Sequence, residues 1–95
     1  MIYFYVNTKI VFMQENDKHV LKLLGERIKE IRSEKWKSLN SFAFKKGLIT
    51  SATLSRVENG LVDLKFTTLL KIAQSLEISP FDLLKGLNFN KNEEE

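Results

Sequence analysis

Residues 47–60, GLITSATLSRVENG, gather small polar side chains where a helix would begin: Thr50, Ser51, Ala52 and Thr53. Leu54 and Val57, three apart, supply a narrow apolar stripe, and Asn59-Gly60 ends the segment. Such a helix has little to bury and much small, approachable surface at its amino end. That is the make-up of an element lying against another molecule, so the chemistry is contact, not bond breaking. The parts for catalysis are missing. Cysteine is absent, which removes disulfides, thiolate catalysis and Cys-type zinc sites. His19 is the only histidine and suits a surface or helix-end position, so no His pair can hold a metal. There is no nucleophile–base signature and no glycine-rich phosphate loop. The expectation is a protein that is no enzyme, with no cofactor, no metal and no small-molecule ligand.

The 95 residues suffice for one compact domain, and 43% hydrophobic with 28% charged residues is ordinary for a soluble globular chain. No run of eighteen apolar residues exists to span a membrane. The apolar opening MIYFYVNTKIVFM lacks the basic start and small-residue cleavage site of a signal peptide, so the expected location is cytoplasmic. Net charge is +3, but its distribution matters more. Residues 18–90 hold 13 Lys/Arg against seven Asp/Glu, and seven of those cations fall between Arg27 and Lys46. A patch of this kind suits a polyanion, or else a solvated mixed-charge face.

The elements that position these residues are read from periodicity. Ile2, Phe4, Val6, Thr8, Ile10 and Phe12 share one face at period two, which suggests one or two short strands. From Val20 the pattern turns helical. Leu21, Leu24, Ile28 and Ile31 define helix 1 over Lys18 to Lys35, and a close helix contact would account for Gly25. Ser38 caps helix 2, which buries Phe42 and Ala43 and stops at Gly47. Thr50 caps helix 3, with Ile49 stapled to Leu54. Helix 4 covers Phe66 to Leu76, with Phe66, Leu69, Leu70, Ile72, Ala73 and Leu76 facing inward. Helix 5 opens with Ser79, Pro80 and Asp82, staples Ile78 to Leu83, and ends at Lys85-Gly86. The fold expected is all-α: an N-terminal extension (1–17) holding the β segment, a five-helix domain (18–86) and a polar, acidic tail (87–95). Ala43 lets helix 3 approach helix 2, so the two form a helix-turn-helix whose second member protrudes.

The segments LGERIKEIRSEK, SLNSFAFKKG, TLSRVENG and TTLLKIAQSLEISPFDLL, in this order and spacing, resemble the Cro/CI-type (XRE-family) helix-turn-helix DNA-binding domain across about residues 21–86. The resemblance implies a lambda-repressor-like fold and double-stranded DNA as partner, with the helix over about residues 50–59 in the major groove. It implies that Thr50, Ser51, Ala52 and Arg56 face bases. Ser38, Thr53, Asn59, Lys65, Lys37 and Lys46 are matched to phosphate, together with the backbone amides that start helices 2 and 3. Arg32 matches an arginine that pairs with the glutamate of the E-N-G signature, here Glu58, tying helix 1 to the end of helix 3. Two departures stand out. Leu39 replaces the glutamine usual after the helix 2 cap and cannot donate a hydrogen bond. The stretch between Gly47 and Leu54 is one residue longer than the family pattern, with Leu48-Ile49 where one apolar residue is usual.

The function this implies is a sequence-specific transcriptional regulator, acting as a homodimer on a two-fold site. Helix 5, the following Leu87 and Phe89, and the N-terminal strand segment are candidate dimer surfaces. With no room for a ligand-sensing domain, regulation is expected to follow concentration, as in small phage repressors or the controller proteins of restriction–modification systems. The alternative is a protein-interaction module on the same scaffold, coactivator-like or antitoxin-like.

Overall fold

The computed structural model describes residues 15–87, with side chains from Asp17 onward. The strand segment expected in residues 1–13, Phe89 and the acidic tail lie outside the described residues. Five helices follow in order: α1 (Glu15–Lys35), α2 (Leu39–Lys46), α3 (Ser51–Glu58), α4 (Phe66–Leu76) and α5 (Pro80–Leu84). Among the described residues there is no strand.

Local chemistry sets most of the boundaries. Ser38 Oγ accepts from the Ser41 N–H at 3.1 Å, and Ser79 Oγ accepts from the Asp82 N–H at 3.0 Å. Each hydroxyl satisfies an amide that its helix leaves without a partner. Gly47, at φ 70°, closes α2 by donating its N–H to Ala43 O at 2.9 Å. α4 ends without a glycine. Glu77 itself takes the left-handed conformation at φ 63°, and the Ile78 N–H reaches back to Ala73 O at 3.1 Å. α1 begins at Glu15, three residues before the expected Lys18. Its first turn carries no apolar period to announce it, so periodicity finds the helix only from its second turn.

One side chain from each helix builds the centre: Ile28, Phe42, Leu54, Ile72 and Leu83. Burying each contributes about 1.5–3 kcal/mol. Ile49 and Ile78, each just before an N-cap, pack on this cluster as hydrophobic staples would. α3 is held between α1 and α2, and α5 rests on α1 and α4. The α1–α3 contact is close enough to explain Gly25. A Cβ there would fall on the Val57 carbonyl oxygen and stand 2.6 Å from that of Glu58.

The inward face expected for α4 is only partly inward. Leu69, Ile72, Ala73 and Leu76 pack on or within the core, but Phe66 is 69% exposed and Leu70 37%. Both lie at the solvent edge of a stripe wider than the core it covers.

Candidate nucleic-acid interface

The second helix of the pair, α3, is anchored from one side only. Leu54, Val57 and Glu58 are buried, at i, i+3 and i+4. Ala52, Arg56 and Asn59, at i, i+4 and i+7, are exposed along the opposite side, and the capping Thr50 is exposed at the amino end. Ser51 and Thr53 lie between the two faces, half-buried. Thr50 Oγ1 accepts from the Thr53 N–H at 3.2 Å and donates to Thr53 Oγ1 at 3.0 Å, which leaves the Thr53 hydroxyl proton free. Asn59 Nδ2 donates to Ser55 O at 2.8 Å, leaving its second amide proton and its oxygen outward. Arg56 has no ion-pair or hydrogen-bond partner among the described residues. It is therefore a long, charged donor with no competing claim from the fold.

The start of α2 complements this face. Ser38 and Lys37 are exposed where the chain enters α2. Neither α2 nor α3 has an acidic residue in its first turn, so their positive helix ends are uncompensated, whereas α5 carries Asp82. Lys65, the N-cap residue of α4, is exposed and makes no side-chain cap.

Arg32 fixes the two helix starts relative to each other. Its Nη2 lies 2.9 Å from Glu58 Oε1 and its Nε 3.0 Å from Oε2, a bidentate pair. Its Nη1 donates to Trp36 O at 2.7 Å and Lys37 O at 3.1 Å. One buried guanidinium thus holds the end of α3 and the turn that presents Lys37 and Ser38. Four of its five N–H groups are used, as a buried cation requires. Trp36, half-buried beside it, meets Phe42 edge to face with ring centroids 6.1 Å apart.

Not every cation in the basic stretch is free. Of the seven between Arg27 and Lys46, three are committed to partners within the fold. Arg32 is one. Arg27 donates from Nε to Leu83 O at 3.2 Å and from Nη2 to Asp82 O at 3.0 Å, capping the end of α5. Lys46, matched to phosphate in the sequence, points to the end of α4 and pairs with Glu77 Oε2 at 2.8 Å. The Lys46 hydrogen bond and charge, with Lys35 beside them, hold the Glu77 carboxyl below its ordinary pKa. Sequence reasoning missed the carbonyls bound by Arg32 and Arg27 and the Lys46–Glu77 pair. No spacing announces them, because their partners are set by tertiary packing.

Comparison with known proteins follows this geometry. A helix-turn-helix family model matches residues 28–83, more than half of the chain. Among solved structures, the restriction-modification controller protein C.AhdI from Aeromonas hydrophila matches with a TM-score of 0.60 and 32% identity. That match covers 66% of this chain and 94% of the controller protein. No curated protein matches.

Proposed function

The chain belongs to the Cro/CI-type helix-turn-helix family of DNA-binding transcriptional regulators, with its lambda-repressor-like all-α fold, and from that premise we propose that it reads a specific two-fold DNA site as a homodimer. α3 lies in the major groove. Thr50, Ser51, Ala52 and Arg56 meet base edges, with Arg56 the bidentate donor to a guanine. Lys37, Ser38, Thr53, Asn59 and Lys65 contact phosphate and set the register. Lys46, already sharing its charge with Glu77, contributes less. The observation that carries the reading is the one-sided anchoring of α3: its buried stripe holds it, and the exposed stripe ending in the unpartnered Arg56 is left for a ligand. The controller protein it resembles, a restriction-modification controller by its title, fits a regulator working through its own concentration.

Selecting bound duplexes from a random pool tests this, with the native chain and with Arg56→Ala. The native chain should enrich a palindrome, and the variant should lose information at one position per half-site. A guanine contact of this kind discriminates by about 1–3 kcal/mol. Equal weakening at every position would make Arg56 a phosphate contact. No enrichment at all would remove sequence specificity from the reading.

A further inference from the structure

The homodimer reading leaves its contact surface unassigned, and the exposed apolar residues divide into two groups that decide it. Phe44 and Leu48, 86% and 40% exposed, lie on α2 and on the turn leading into α3. A partner seated there would crowd the start of the helix that must reach DNA. Phe66 and Leu70, one turn apart on α4, and Phe81 on α5, 85% exposed, belong to two helices that pack directly on each other. We propose that this α4–α5 surface, centred on Phe66, Leu70 and Phe81, is where a second copy of the chain docks. The inference rests on the homodimer reading of the preceding subsection and names its interface.

Three features favour a second copy over bare solvent. The first is area. A buried aromatic side chain covers roughly 150–250 Å², so Phe66 and Phe81 at their exposures offer on the order of 300 Å² of apolar surface. A standard interface buries about 800 Å² per partner, of which somewhat over half is apolar. The two rings and Leu70 supply most of that apolar share. The second is rigidity. Leu69 and Leu84, on the same helices, pack on the core, and Arg27 pins the five-residue α5 through the carbonyls of Asp82 and Leu83. The exposed rings stand on a fixed platform, so little ordering opposes association. The third is the rim. Lys71, Asp82 and Lys85 are exposed on these two helices and carry both signs, as a surface facing its own copy needs.

Sedimentation equilibrium of the native chain, of Phe66→Ser/Phe81→Ser and of Phe44→Ser decides the matter, with helix content and thermal midpoint followed for each. The dimer dissociation constant should rise about thirtyfold or more in the double variant, the loss typical of an interface anchor. It should stay unchanged in Phe44→Ser. Because the native sequence has no cysteine, Phe81→Cys gives a second readout with no dependence on weakened folding. It should oxidise to a covalent dimer, and Phe44→Cys should not. A double variant that dimerises like the native chain, or a Phe44→Ser that dissociates instead, overturns the surface and leaves the homodimer standing. A native chain that stays monomeric at high micromolar concentration, with and without DNA, removes the homodimer and this surface together.

Discussion

The guanidinium of Arg32 meets the carboxylate of Glu58 along its edge, Nη2 to Oε1 at 2.9 Å, with side chains only 5% and 4% exposed. The pair joins α1 to the end of α3 across 26 residues of sequence. Removing one partner strands the other charge in a site water does not reach. Arg32→Ala is therefore expected to lower stability by about 3–5 kcal/mol in urea denaturation. A paired apolar replacement, Arg32→Met with Glu58→Leu, should lose much less, because nothing charged is left buried. If the single and double replacements cost the same, the pair is not the joint described here.

Gly25 offers a test in which two effects have opposite signs. Alanine in a helix interior is favoured over glycine by about 1 kcal/mol. At this position, however, the added methyl meets the backbone carbonyls of Val57 and Glu58, which cannot turn aside as a side chain would. Gly25→Ala should therefore destabilise the fold, by about 1–3 kcal/mol as overpacking does. An increase in stability on denaturation would mean that α1 and α3 lie farther apart.

Much of this was legible in the sequence, because the signals were local. The caps at Ser38, Thr50 and Ser79 each act within three residues, and all three helices begin where those residues stand. Gly25 was readable as a close contact because a helix pays for glycine only where something is near. Phe66 and Leu70 were misread as inward because a 3.6-residue period marks an apolar face without saying how wide the core beneath it is. The basic stretch looked more uniform than it is. Which cations remain free depended on where the ends of α4 and α5 came to rest, and that is a tertiary fact.

The Lys46–Glu77 pair gives a pH dependence with a definite sign. The Glu77 pKa is lowered in the folded chain, chiefly by the Lys46 hydrogen bond and charge and then by Lys35. Its contribution to stability is thus present above the unfolded carboxyl pKa and is lost as pH falls through the folded value. NMR titration should find the Glu77 carboxyl titrating at lower pH than an unpaired glutamate. Lys46→Met should return it most of the way, and raised salt should shrink the shift, since the pair is exposed. A titration unmoved by Lys46→Met would assign the shift to another neighbour.

The central claim is that the exposed face of α3 and the free cations around it engage duplex DNA. Its most direct measure is the slope of log affinity for the selected duplex against log salt concentration, between 50 and 200 mM. Neutralising several phosphates per dimer should weaken binding by roughly a hundredfold or more over that range. Lys37→Ala or Lys65→Ala should flatten the slope by about one unit per half-site, and Lys46→Ala by less. A native affinity that scarcely moves with salt, with slopes indifferent to these lysines, would contradict the account and favour a module whose partner is another protein.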